Sequence, residues 1–409
     1  MKKIVFYMLC CLLCFSFVTG CGKSKKENDK KIMKDLTNYT LSEIEAYAKE
    51  NNLKLNINYQ NSTEKKDALL SQSIKAGSNL EGESKLEIVL SSGRLDDSVY
   101  KENNVNELGR VPVMMYHGIH NKKNSETNYT GGNVDKDGYQ RTSEAFYNDL
   151  EYYYQNGYRM IRLQDYINGN IDVELGKSPI VITFDDSLKN NIIVTGLDKN
   201  GDIIIDPNSA VGILEQFKKK YPDYNVTATF FVNATLFEQP EYTEKILKWL
   251  VDNGYDIGNH TYSHVNFKNA SANESIEEVA TLYQLLDKYI PGKYVNIVAL
   301  PFGSPGSSEH ANFKHILSGN YNGYEYHTDS TLRVGWEADY SPFSPLFNKV
   351  FIKRIRAYDN NGNDFDIEYN FKVLENERYI SDGNPDNVVV SKDYLKYITN
   401  ADNFNVISY

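Results

Sequence analysis

Residues Ile180-Val181-Ile182-Thr183-Phe184 form a continuous run of β-branched and aromatic side chains, followed at once by Asp185-Asp186. Such a run, without polar alternation, is the pattern of a parallel strand covered on both faces. Strand and helix patterns alternate around it. Val111–Met115 is strand-like, and Ser143–Asn156 carries Phe146, Leu150 and Tyr153 on one helical face before a stop at Gly157. Helical patterns follow at 209–220, 241–253 and 273–289, interleaved with strands over Val226–Val232 and Val295–Leu300. This order predicts an α/β domain, either a barrel or an open parallel sheet, and periodicity does not choose between them. In both architectures ligands bind at the carboxyl ends of the strands, where Asp185 and Asp186 stand.

Two adjacent carboxylates repel each other unless a cation or a proton relieves them. One arrangement gives one carboxylate to a metal and leaves the other as a base. Taken alone, an Asp pair after a strand also reads as a helix cap. A second signal lies in His260-Thr261-Tyr262-Ser263-His264, after the short strand Tyr255–Gly258. One helical turn would point residues i and i+4 the same way, so both imidazoles would reach one ion. The alternative is a pair of strand-end histidines with no ligand. Two histidines and a carboxylate leave positions open for water and substrate. That pattern predicts a catalytic Zn²⁺ or similar divalent ion rather than a structural one.

Thr183-Phe-Asp-Asp186 and His260-Thr-x-x-His264 resemble the first two motifs of the polysaccharide deacetylases, carbohydrate esterase family 4, over about residues 111–375. The resemblance implies a deformed (β/α) barrel and hydrolysis of N-acetyl groups from N-acetylglucosamine-type polymers, peptidoglycan or poly-N-acetylglucosamine. It implies Asp185 as general base and Asp186, His260 and His264 as ligands of a divalent metal. Leu300-Pro301-Phe302-Gly303 is similar to the third motif, in which the aromatic residue's backbone N–H helps to form an oxyanion hole. The arginine that many members carry just before it is replaced by Ala299, and Ser187 stands for the common Gly after the Asp pair. Arg354 and Arg356 alternate on the strand-like Phe351–Arg356, and either is a candidate to replace that arginine beside Asp185. The late histidine used by many members as general acid is missing, since no histidine follows His327. A branch that looks circularly permuted carries it on the first strand. Met114-Met115-Tyr116-His117-Gly118-Ile119 fits that pattern, which implies His117 as the acid.

The amino terminus bears on the compartment. Met1-Lys2-Lys3 precedes an uncharged run from Ile4 to Thr19, which ends in Val18-Thr19-Gly20-Cys21. A positive start, a short apolar run and small residues at its end read as an export signal over 1–20. The last four residues look like a bacterial lipobox that directs lipid to Cys21; the alternative is an uncleaved membrane anchor. Both predict a protein outside the cytoplasm, the first on the outer face of the bacterial cell membrane. All four cysteines lie at or before Cys21, so the exported part has no thiol pair for a disulfide. Residues 21–34 are lysine-rich and read as a tether. Over 35–94, a capping box at Thr40–Glu43, alternation in Leu53–Tyr59 and Leu86–Leu90, and Ser71-Gln72-Ser73-Ile74-Lys75-Ala76-Gly77 resemble a small α+β PASTA module. Residues 95–110 are polar and aperiodic and read as a linker, with the deacetylase-like domain and its C-terminal extension over 111–409.

With 409 residues, 41% hydrophobic and 24% charged, the chain has room for two or three cores. Its formal charge of −11 argues against a nucleic-acid-binding surface, which needs clustered Lys and Arg. The expected partners are an amino-sugar polymer and, through the lipid, the membrane; oligomeric state is not encoded in these patterns. Two other readings stay open: a catalytically retired, wall-binding surface lipoprotein, and a deacetylase of a small or non-sugar amide. Asp198-Lys-Asn-Gly-Asp202 lacks the spacing of a calcium loop and reads as a turn in a surface insertion over about 188–208.

Overall fold

The computed structural model describes residues 31–80, 82 and 85–409. The expected signal segment, Cys21 and the tether as far as residue 30 lie outside the described residues. The described residues divide into two compact units, one built from residues 31–58 and those within Leu69–Val89, the other from Tyr59–Ala68 and Leu90–Tyr409.

In the first unit the helix Leu41–Glu50 opens on a capping box. Thr40 accepts the Glu43 backbone N–H, and the Glu43 carboxylate accepts that of Thr40. The helix turns Ile44, Tyr47 and Ala48 inward, where Met33, Leu36, Leu86 and Ile88 are also buried. Leu86 and Ile88 alternate on the strand Lys85–Gly93, which lies between Lys54–Asn61 and Leu69–Gln72 in a three-stranded sheet.

The second unit is the α/β domain. Its parallel strands run in the order Ser330–Leu332, Ile297–Ala299, Asp256–Asn259, Thr229–Val232, Ser178–Phe184, Val113–Tyr116 and Ile355–Arg356. The segment just before the last of these reaches the opposite edge. Ile352 bridges Leu332, and Ile355 pairs with Met114, so one bent segment completes a deformed barrel. Gly335 lets the chain press against this segment, because a side chain there would meet the Arg354 carbonyl at 2.2 Å.

Strand alternation sorts the side chains into two layers. Val113, Val181, Phe231, Ile297, Ala299, Leu332 and Ile352 form an inner core, with Leu163, Tyr166 and Ile167 from the helix Leu163–Asn168. Met114, Ile180, Ile182, Phe184, Phe230, Val232, Ile257 and Val298 face outward. They pack with residues from the helices Ser143–Gln155, Ala210–Lys220, Thr243–Asp252 and Ala272–Tyr289. This sorting positions the site: Val181 and Thr183 lie on the inner face, so Asp185 continues inward.

One stretch differs from expectation. Residues 95–110 are not a bare linker, for Asp97–Glu102 is helical and buries Tyr100. Tyr100 and Val105 join Val389 and Ile407 in one cluster, and Glu107 accepts the backbone N–H groups of Asp382 and Val389. Two apolar side chains in a polar run suffice because the distant C-terminal strands supply the rest of the cluster. Those strands, Asn387–Val390 and Asn405–Ser408, pair in parallel. They follow a helix, Ile367–Glu377, capped by Asp366 and burying Ile367, Phe371 and Leu374. In the 188–208 insertion, Val194–Leu197 and Ile203–Ile205 form a hairpin, and the Asp198 carboxylate accepts the N–H groups of Asn200 and Asp202.

Candidate active site

The strand Ser178–Phe184 ends in a kink that parts the two acids. The Asp185 N–H still donates to the Tyr116 carbonyl at 2.9 Å, continuing the ladder. Asp186 and Ser187 then take left-handed backbone conformations, with φ of 74° and 44°. Such conformations are strained for residues other than glycine and cluster at functional sites.

Asp185, 1% exposed, meets the wholly buried Arg354. The guanidinium donates from Nη1 to Oδ1 at 2.8 Å and from Nη2 to Oδ2 at 2.7 Å. Arg354 also donates to the Arg333 carbonyl and to Thr183 Oγ1, so the fork is anchored on three sides. Burial pushes the Asp185 carboxyl up, but the Arg354 charge and hydrogen bonds, together with the nearby His260 and His117, outweigh it and hold Asp185 well below the usual carboxylate range. Of the two arginines that sequence offered for this place, Arg354 takes it. Ile352 and Arg354 are two apart on the extended segment that leads into Ile355–Arg356, and Arg354 reaches Thr183 and Asp185.

Asp186 turns to the mouth of the barrel. Its Oδ1 lies 3.2 Å from His260 Nε2 and 3.4 Å from His264 Nε2. One donor atom from each residue falls within 4.8 Å of the others. The His260 N–H extends the parallel ladder by donating to Val232. Its Nδ1 lies 2.8 Å from the Ala299 carbonyl, which can only accept, so Nδ1 carries a proton, and in the neutral ring Nε2 presents its lone pair to the cluster. No helical turn joins His260 to His264. Left-handed Thr261 and His264, with φ of 62° and 61°, reverse the chain instead, and Asn259 Oδ1 pins the Thr261 N–H. A carboxylate oxygen and two imidazole nitrogens at this spacing fit a divalent cation, with coordination positions left over.

His117 follows the strand Val113–Tyr116, with Nε2 3.9 Å from Asp186 Oδ2. Asn191 Nδ2 donates to its carbonyl at 2.7 Å, and its ring meets Tyr139 edge-on at 5.0 Å. Burial lowers its pKa, which favours the neutral ring. Its Nδ1 is buried and has no partner among the described residues. Phe302 stands across the mouth, 65% exposed, with its ring 4.5 Å from that of His264. Its φ of 58° is again left-handed, and among the described residues no backbone carbonyl accepts its N–H. The structure therefore brings Asp185, Asp186, His260, His264, His117 and Phe302 to one end of the barrel. Tyr139, beside His117, gave no signal in the sequence, for it lies in a loop without periodicity.

Residues 172–316 match the family model of the polysaccharide deacetylases, and residues 31–92 match that of the PASTA domain. The first match contains both acids, both cluster histidines and Phe302, while His117 and Arg354 lie outside it. The chain is 32% identical over 84 residues to a peptidoglycan-N-acetylglucosamine deacetylase of Bacillus cereus. That match spans 20% of this chain and 29% of the relative's length. Among solved structures, the chain is similar to the Streptococcus pyogenes deacetylase PplD, with 20% identity and a TM-score of 0.44 over 62% of this chain and 94% of that one. It is also similar to a polysaccharide deacetylase from Bacillus cereus, with 17% identity and a TM-score of 0.45 over 65% and 69% of the two chains. The chain thus carries a polysaccharide deacetylase domain and, earlier in sequence, a PASTA domain.

Proposed function

We propose that this protein removes N-acetyl groups from an N-acetylglucosamine-containing cell-surface polysaccharide, in a metal-dependent hydrolysis outside the cytoplasm. The observation that carries the reading is the grouping of Asp186, His260 and His264 around one point, with a second acid, Asp185, held separately by Arg354. Asp186, His260 and His264 would hold the divalent ion, which we assign as Zn²⁺. Bound there, the ion supplies Lewis acidity, polarising the acetamide carbonyl and easing deprotonation of water.

The protein's own groups supply the rest. Asp185 is the general base that takes a proton from the attacking water, and Arg354 keeps it ionised and fixed in direction. The low basicity that follows is the cost of that fixation. The Phe302 N–H donates to the oxygen that gains charge as the carbonyl carbon becomes tetrahedral. His117, entering this step as the imidazolium, gives its Nε2 proton to the amine as the C–N bond breaks, and acetate leaves; its lowered pKa makes that proton easy to release. Arg354 beside Asp185 and His117 beside Asp186 support this reading over that of a catalytically retired domain. The chain would be held at the outer face of the membrane by lipid on Cys21. Labelled palmitate should enter the wild-type chain and not Cys21→Ala.

The test of the activity is acetate release from N-acetylated peptidoglycan and from poly-N-acetylglucosamine. The Zn²⁺-loaded chain should release acetate from at least one of them, lose that activity on chelation and regain it on Zn²⁺ addition. A folded, metal-replete protein that releases none from either polymer would contradict the assignment.

A further inference from the structure

Arg356 lies two residues beyond Arg354 on the segment that completes the barrel. Ile355 between them is buried in the outer layer, so both arginines leave the backbone on the inner side. Arg356 pairs in register with Met115, two residues before His117, and so stands nearer the mouth than Arg354. Its guanidinium is 3.9 Å from the centre of the Tyr358 ring and 5.1 Å from that of Tyr139, the ring that meets His117 edge-on.

What sets Arg356 apart is the lack of any polar side-chain partner among the described residues. Every other arginine of the chain meets a carboxylate or a main-chain carbonyl. The Arg356 side chain does neither among the described residues. The chain has 55 acids against 44 bases, so carboxylates are not scarce. A half-buried cation without an anion is unfavourable, and packing between two rings does not require one. With its faces against aromatic rings, the guanidinium offers its N–H edge, whose parallel donors match the two oxygens of a carboxylate.

We propose that Arg356 is a substrate-specificity residue that binds a carboxylate carried by the glycan close to the N-acetyl group under attack. The substrate class is then a carboxylate-bearing amino-sugar chain, such as peptidoglycan with its peptide stems, rather than neutral poly-N-acetylglucosamine. This inference rests on the deacetylase reading and narrows it.

The test uses the Zn²⁺-loaded full chain and three probes: a peptidoglycan tetrasaccharide with free stem carboxylates, its methyl ester, and a chitotetraose bearing a phosphate ester. Acetate release gives kcat/KM, and calorimetry gives binding. The wild type should prefer the free acid over the ester by about tenfold or more, the scale of a charge-assisted hydrogen-bonded pair. In Arg356→Gln that preference should fall to near unity. Arg356→Lys, which keeps the charge without the fork, should lie between them and carries the test if the Gln variant does not fold. An unchanged preference in a folded, active variant overturns the proposal. So does a wild-type preference for the phosphate ester that Arg356→Gln abolishes, because the anion recognised would then be a phosphate. If no probe is hydrolysed but ester-sensitive binding still depends on Arg356, the carboxylate site stands and the deacetylase reading falls. If there is neither binding nor release, both fall.

Discussion

In the barrel interior Asp185 already has its charge matched, by a bidentate guanidinium that is itself held by the Arg333 carbonyl and Thr183 Oγ1. At the mouth, one residue later, Asp186 faces the imidazoles of His260, His264 and His117. Neutral imidazole nitrogens and a carboxylate are all lone-pair donors, so this second region is completed by a cation or by protons. The contrast teaches how two neighbouring identical residues acquire different chemistry. A left-handed kink at Asp186 points one into the packed core and the other toward solvent, and each environment then sets its own electrostatics.

The sharpest break should come at the mouth. His260→Ala removes a central donor and should abolish acetate release and metal retention together, read by acetate assay and elemental analysis. Because the interior is complete without the ion, the melting curve of the chelated wild type should still report a folded barrel. Next, Asp185→Asn should lower turnover by about 10⁴-fold, the upper range for loss of a general base.

Arg354→Met separates the regions by stability. An unpaired buried carboxylate is left behind, and the loss should be about 3–5 kcal/mol in denaturant unfolding. The pH dependence should also change sign. In the wild type the Asp185 pKa is lower folded than unfolded. Its contribution is therefore fully present above the unfolded value, about 4, and is lost as pH falls through the folded value. Without Arg354, burial dominates and raises the folded pKa, so stability is lost as pH rises instead. Unfolding midpoints at pH 5 and pH 8 read the difference. His117→Ala should then cost about 10²–10³-fold in turnover with metal content unchanged. Phe302→Ala should have the smallest effect, less than about tenfold, because the backbone N–H survives the substitution.

Much of the mouth was legible in the sequence because its groups lie close together along the chain. Asp185 and Asp186 end a recognisable strand, and His260 and His264 are four residues apart, although a left-handed turn rather than a helical one brings them together. The interior partner was only half legible. Arg354 and Arg356 alternate along one segment, and which of them reaches Asp185 depends on their height in the barrel, a property of strand register that no local pattern encodes. The helix Ile367–Glu377 and the packed Tyr100 were not legible, since each relies on apolar partners supplied from far along the chain. Tyr139 is harder still, because a loop residue acquires its neighbour only from the completed fold.

The most direct measurement of the division between the two acids is the metal content of Asp185→Asn and Asp186→Asn, each loaded with Zn²⁺ and dialysed side by side. One ion per chain should remain in the first and none in the second. Equal retention in both, or loss from Asp185→Asn alone, would contradict the assignment of base and ligand.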